Sequence, residues 1–229
     1  MGIDREAKAS APEAGHRANH TGPVGLRESK KRETRQLISD HATRLFIEHG
    51  FEQTTIAEIA TAARVAKKTV TNYFPHKEDL ALDHQKDFIA SLAHTVASRD
   101  SGESALSALC RAFQAAVAAQ DPVCGFAGPE FSRMIADSPT LSVCLRGLHD
   151  QREEALAEAL AEATGSAADD ITTRTAATLF GAVHRTLFRR IQDLTLAGHS
   201  NPEIAGIVRE EAARAFVVLE PALADYAVA

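Results

Sequence analysis

The chain has 229 residues, 45% of them hydrophobic, enough apolar material for a sizeable core in one large or two small domains. The net charge of −6 argues against a protein that coats nucleic acid, but the charge is split: residues 1–77 hold 13 Lys/Arg and 9 Asp/Glu, and residues 78–229 hold 12 and 22. No stretch reaches the roughly 18 consecutive apolar residues of a membrane span, and none at the start reads as a signal peptide, so a cytoplasmic protein with no membrane partner is expected.

Abundant Ala, no Trp and little strand-like alternation predict an all-α chain. Cys110, Cys124 and Cys144 are odd in number and lack zinc spacing, so they read as isolated structural thiols with no metal. No cofactor is expected.

Residues 1–28 are rich in Ala, Gly, Pro, His and charge without periodicity, and are predicted to be a disordered arm. The first helix is predicted over Ser29–His49, with Leu37, Ile38, His41, Ala42, Leu45 and Phe46 as its inner stripe and Gly50 ending it. Thr55 and Glu58 form a capping box for a second short helix carrying Ile56, Ile59, Ala60 and Ala63 on one face. Arg64 and Val65 make a turn. A third helix follows, anchored by Val70 and Phe74. Its polar face is Lys67, Lys68, Thr69, Thr71, Asn72 and Tyr73, with donors suited to phosphates and to base edges. This is the helix-turn-helix arrangement, whose second helix enters the major groove. Pro75 stops it, His76 is expected to cap the next helix, and Lys77 at that N-terminus is a candidate phosphate clamp. The DNA-binding face is therefore Thr55, Lys67, Lys68, Thr69, Thr71, Asn72, Tyr73, His76 and Lys77, in a domain over residues 29–76.

The body, residues 77–229, begins with a helix predicted over Lys77–Ser98, with Leu80, His84, Phe88 and Leu92 on one stripe. Glu103–Gln120 is an amphipathic helix. Residues Val123–Ala136 read as irregular or short-helical. Ser138–Pro139 starts a long helix that Gly165 ends. The last two long helices, Ile171–Leu196 and Pro202–Leu219, are apolar on more than one face. Leu179, Val183, Leu187, Ile191, Ile204, Val208, Ala212 and Phe216 are the candidate homodimer interface, since two copies present two recognition helices to one palindrome.

The run Arg32–Leu80, with LFIEHGF (Leu45–Phe51), TTIAEIATAARVAKKTV (Thr54–Val70) and NYFPHKEDL (Asn72–Leu80), resembles the DNA-binding domain of the tetracycline-repressor (TetR) family. Thr71 stands where that family most often carries tyrosine. The resemblance implies a dimeric regulator of double-stranded operator DNA and a small-molecule effector in a cavity among the middle helices. Candidate lining residues are Phe88, Phe113, Phe126, Phe131, Met134, Phe180 and Phe188, with His84, His149, Arg152 and His184 for polar contacts. A repressor released by an apolar or amphipathic ligand is the leading expectation, beside a ligand-responsive activator. An all-helical enzyme is the rival class, but no nucleophile elbow, phosphate loop, dinucleotide fingerprint or H-E-x-x-H is present. The other rival, a helical interaction protein, sits badly with the charge split and the Lys67–Lys68–Thr69 set.

Overall fold

The structure is a computed structural model that describes residues 23–167 and 169–229. Among these residues the chain forms eleven α-helices, one 3-10 turn and no strand. The helices are α1 (Pro23–His49), α2 (Ile56–Ala62), α3 (Lys67–Tyr73), α4 (Glu78–Ala81), α5 (Gln85–Ala97), α6 (Ala105–Ala119), α7 (Pro129–Asp137), α8 (Pro139–Thr164), α9 (Ile171–Leu196), α10 (Asn201–Val217) and α11 (Glu220–Leu223); the 3-10 turn is Pro122–Cys124. The chain divides into two units, residues 1–36 and 37–229.

Helix α1 begins at Pro23, six residues before the expected Ser29, so residues 23–28 are helical rather than an irregular arm. The rest of that arm, residues 1–22, lies outside the described residues. In the first unit Arg27, Lys30, Lys31 and Arg32 are exposed.

The second unit starts with the remainder of α1. Its inner face is Ile38, Ala42 and Phe46, all buried, but Leu37 is 45% exposed and leaves the expected stripe. Gly50 adopts φ +86, the left-handed conformation that ends a helix cheaply only in glycine. Thr55 caps α2 as the sequence predicts: its hydroxyl accepts from the Glu58 N–H at 3.2 Å, and the Glu58 carboxylate accepts from the Thr55 N–H at 2.7 Å. A Schellman turn closes α2, with Val65 N–H bonded to the Ala60 carbonyl at 2.9 Å and Arg64 N–H to that of Thr61 at 3.1 Å. Arg64 takes the left-handed position, φ +54, that glycine normally fills.

The single helix expected over Lys77–Ser98 is two helices. Residues Leu82–His84 break it between α4 and α5. Asp83 has a partner at the break, accepting from the Ser39 hydroxyl of α1 at 2.9 Å. The break also changes the phase of the stripe, so Leu80 and Phe88 are buried while the His84 side chain is 77% exposed beside Asp83 and Asp87. His76 does not cap α4 with its side chain; instead its backbone N–H donates to Asp79 at 2.9 Å.

Two apolar cores result. The nearer one joins Ile38, Phe46, Ile59, Val70 and Phe74 to Leu80, Phe88, Ile135, Leu141, Leu148 and Phe188. The farther one is built from α5, α6, α8, α9 and α10 around Leu109, Leu156, Phe180, Ile191 and Ile204. Residues 226–229 return to this far core. Ala229 N–H bonds the Glu103 carbonyl at 3.1 Å, and the Tyr226 hydroxyl reaches Thr173 at 3.2 Å.

The far core corrects most of the expected dimer set. Leu187, Ile191, Ile204, Val208, Ala212 and Phe216 are 0–3% exposed inside one subunit, because α9 and α10 turn those faces toward α6 and α8. Only Leu179, 36% exposed, and half-buried Val183 reach the surface. Leu187→Asp and Phe216→Asp therefore bury an unpaired carboxylate in a subunit core, with an expected loss of several kcal/mol of folding stability. Thermal unfolding followed by circular dichroism checks this: both variants melt far below the parent or fail to fold, rather than becoming folded monomers.

Candidate functional site

The recognition element is α3, seven residues with no side-chain cap at Ala66. A helix this short is marginal by itself. It is held because Val70 and Phe74 are 0% and 1% exposed in the near core. That anchoring turns Lys67, Lys68 and Asn72 outward, where their side chains make no hydrogen bond or ion pair among the described residues. Thr69 and Thr71 are half-buried, and the Thr71 hydroxyl donates to the Lys68 carbonyl at 3.2 Å. Tyr73 packs against the near core. Free donors are thus concentrated on Lys67, Lys68 and Asn72, while Thr55 is occupied by its capping box.

Lys77 faces inward as well as outward. Its ammonium donates to the Glu52 carbonyl at 3.4 Å and lies 4.2 Å from the centroid of the Phe51 ring. Glu52 in turn links the α1–α2 loop to the start of α8: its carboxylate accepts from the hydroxyls of Ser138 at 2.6 Å and Thr140 at 3.2 Å. Those hydrogen bonds hold the Glu52 carboxyl below its ordinary pKa.

A cavity of about 310 Å³ lies inside the second unit. One wall comes from Thr43 of α1 and from Leu82, Asp83 and His84 at the helix break. The other comes from Phe88, Val123, Phe126, Phe131, Leu145, Leu148 and Phe188. Gly125 shapes this second wall. At φ +126 it turns the chain after the 3-10 helix, and a Cβ there would stand 3.2 Å from Ile191 and from the Phe188 carbonyl oxygen. Of the expected lining, the cavity collects His84, Phe88, Phe126, Phe131 and Phe188. Four others sit elsewhere. Phe180 is 0% exposed in the far core. Phe113 and His184 stack edge-on at 5.5 Å, each also against Phe216. Met134 faces a separate groove with Phe46 and Phe51. Thr43, Leu82, Val123, Leu145 and Leu148 were not singled out in the sequence; the aliphatic ones carry no signal that separates a cavity wall from a core.

Behind the aromatic wall lies a polar layer. The His149 ring packs edge-on against Phe88 and Phe188 at 5.0 and 5.2 Å. The Arg152 guanidinium carbon lies 4.5 Å from the Phe88 ring centroid, and its Nε donates to the Ser91 hydroxyl at 2.9 Å. His184 Nε2 is sealed and has no hydrogen-bond partner among the described residues. Burial, then the Arg152 charge, pushes His149 down to about 3 and His184 well below its ordinary value. Burial also pushes Arg152 down to about 10 and the Cys124 thiol up to about 12. The Cys110 and Cys144 thiols are raised by burial too, so all three cysteines are structural rather than reactive. No group of His, Cys, Asp and Glu among the described residues could hold a metal.

A helix-turn-helix with an outward basic face, carried by a larger helical body, defines a sequence-reading DNA-binding protein. The family model described as "Bacterial regulatory proteins, tetR family" matches residues 38–83. The HTH-type transcriptional regulator TcmR of Streptomyces glaucescens is 30% identical over 179 residues, covering 76% of this chain and 79% of that one. The chain belongs to the TetR family of transcriptional regulators, which are not enzymes. Two solved structures share the fold. A TetR-family regulator from Syntrophomonas wolfei is 21% identical, with a TM-score of 0.54 over 82% of this chain and 96% of that one. NalD of Pseudomonas aeruginosa, the secondary repressor of the MexAB-OprM multidrug efflux pump, is 19% identical, with a TM-score of 0.50 over 82% and 97%. No described helix is long and apolar enough to cross a membrane.

The buried histidines set a pH dependence. Each is neutral when folded and takes up a proton on unfolding, so their contribution is complete above about pH 6.5 and declines as pH falls, that of His149 being lost toward pH 3. The carboxylates with shifted pKa values are Glu52, Glu58, Glu103, Asp170 and Glu203, and all are displaced downward from ordinary values of 4.5 or less. That leaves the window from about pH 6.5 to 5 to the histidines. Stability is expected to fall across that window by up to about 1.4 kcal/mol per pH unit for each histidine. Urea unfolding at stepped pH checks it, and His149→Gln flattens the slope.

Proposed function

We propose that the protein is a dimeric repressor that holds a palindromic operator through α3 and leaves it when a small apolar or amphipathic molecule fills the cavity. Lys67, Lys68 and Asn72 make the principal DNA contacts, with Thr69, Thr71 and Tyr73 beside them. Thr55, His76 and Lys77 stand at the margin, and Lys77 reaches a phosphate only by leaving Glu52. Residues 29–76 act as the reading head and residues 77–229 as the sensing and dimerising body.

The observation that carries this reading is the composition of the cavity wall. Thr43 lies on the helix that supports the head, Leu82–His84 form the hinge between head and body, and Phe126, Leu148 and Phe188 belong to the body. A molecule wedged there bears on all three at once. Two recognition helices must match the half-site spacing of about one DNA turn, so a small tilt of the head weakens binding. The ligand need only favour the tilted state; a coupling of about 1–3 kcal/mol lowers operator affinity roughly 5–150-fold.

The second copy is placed on the outward faces of α9 and α10. Leu179, Ala182, Val183 and Thr186 share one stripe on α9, and Gly206, Glu210, Ala213 and Val217 share one on α10. These residues are exposed or half-buried, and mostly small or apolar, as close helix packing requires.

Two measurements test the proposal. DNA selected from a random pool by the wild-type protein is expected to be palindromic, and Lys67→Ala with Asn72→Ala is expected to lose about 1–3 kcal/mol of affinity per base contact removed. Unchanged affinity and sequence preference in that double variant would remove α3 as the reader. In sedimentation, Leu179→Asp and Val217→Asp are expected to give folded monomers with weak operator binding. A folded Leu179→Asp dimer at micromolar concentration would place the interface elsewhere.

A further inference from the structure

Four arginine side chains of the body meet carboxylates. Arg111 pairs with Glu103 at 2.8 Å, Arg174 with Glu154 at 3.3 Å, Arg185 with Glu153 at 3.0 Å and Arg190 with Glu211 at 3.0 Å. All four are more exposed than Arg152, which is 6% exposed and forms no ion pair among the described residues. Its one hydrogen bond uses Nε, to Ser91. The N–H donors on its two terminal nitrogens have no acceptor among the described residues. A buried charge without a partner is strongly unfavourable, and a guanidinium does not escape by losing its proton near neutral pH. The Ser91 hydrogen bond and the Phe88 ring offset part of that cost, but no counter-charge does among the described residues.

Its position gives the charge a use. Arg152 lies one helical turn beyond Leu148 on α8, and its guanidinium lies over the ring of Phe88, which itself lines the cavity. The sealed, unpartnered polar atoms are Ser132 Oγ and His184 Nε2. The Arg152 terminal nitrogens are not among them, which puts them at the edge of open space. His149, held neutral by burial, flanks the same aromatic pair, and neutral His184 adds a second unpartnered nitrogen in the layer. Arg152 and neutral His149 stand behind the Phe88 wall as one cation and one imidazole, while the one carboxylate in the cavity lining, Asp83, already accepts from the Ser39 hydroxyl, so the Arg152 side is the one that attracts negative charge.

We propose that the effector is an apolar acid, whose hydrophobic frame fills the cavity and whose negatively charged group pairs with Arg152 once the Phe88 ring swings aside. The proposal rests on the cavity being the effector site. It adds a chemical class to that site and a cause for release. Phe88 belongs to α5, directly after the hinge at Leu82–His84, so displacing its ring disturbs the joint between head and body. A neutral ligand of the same shape fills the cavity without reaching the cation.

Two fluorescent dyes with one frame test this: 1-anilinonaphthalene-8-sulfonate, which carries an anion, and N-phenyl-1-naphthylamine, which does not. The full-length wild-type protein is expected to bind the sulfonate roughly 10- to 100-fold more tightly, the usual range for a charge-assisted hydrogen-bonded pair. Arg152→Gln is expected to reduce sulfonate affinity to that of the neutral dye while leaving the neutral dye unchanged, and Arg152→Lys to retain part of the preference. Without dye, Arg152→Gln is expected to melt at or above the wild-type temperature, because it removes an unpaired buried charge; a lower melting temperature would mark Arg152 as structural and overturn the assignment. Equal affinity of the two dyes for the wild-type protein would overturn the acid and leave the cavity reading standing. Failure of both dyes to bind would overturn the cavity reading as well.

Discussion

The recognition helix depends on apolar anchoring that it cannot supply from its own length. Helix α3 has seven residues and no side-chain cap, so its position is that of Val70 and Phe74. Those two side chains lie in a core that continues through Leu80 and Phe88 to Leu148 and Phe188. Each fully buried side chain of this size contributes about 1.5–3 kcal/mol, far more than an exposed hydrogen bond, so the core sets where the head stands. Interiors are packed as densely as crystals and shift between discrete arrangements rather than deforming smoothly. Whatever repacks that shared core is therefore felt at α3.

Polar links make that joint specific. Ser39 to Asp83 ties α1 to the break between α4 and α5, and Glu52 to Ser138 and Thr140 ties the α1–α2 loop to α8. The Glu52–Thr140 contact is exposed, so this link contributes little energy and instead selects one docking geometry. The cavity borders the first link at Asp83. Strong apolar contact around a gap, with weak polar contacts beside it, is an arrangement that a ligand can bias by a few kcal/mol without unfolding anything.

The body separates two tasks by depth. The inward faces of α9 and α10 build the far core, and small and apolar residues such as Leu179, Ala182 and Val217 stay on their outward faces. Between the far core and the cavity stands the layer of Arg152, His149 and His184. Satisfied polar groups at that depth would specify packing; unsatisfied ones lower stability. Proteins keep such groups where function uses them, and this layer borders the cavity's aromatic wall.

The local signals were legible in the chain itself. The Thr55–Glu58 box, Gly50, the Ser138–Pro139 start and the Gly165 end each act within one helical turn, so sequence neighbours decide them, and the matching structural positions followed. So did the family, because the helix-turn-helix is one unbroken run of about fifty residues. Faces were a different matter. Leu187 and Phe216 have the same periodicity whether they meet a neighbouring helix or a second subunit, since burial removes the same apolar area from water in both cases. Tertiary packing put them inside. It also broke the helix at Leu82–His84, where the Ser39–Asp83 bond is made by residues 44 apart in the chain, and so turned His84 outward. Phenylalanines that look alike in sequence were divided between a cavity wall, Phe88 and Phe126, and a closed core, Phe113 and Phe180. No local rule distinguishes these, because a cavity is where side chains fail to meet, and that is known only once every helix has its place.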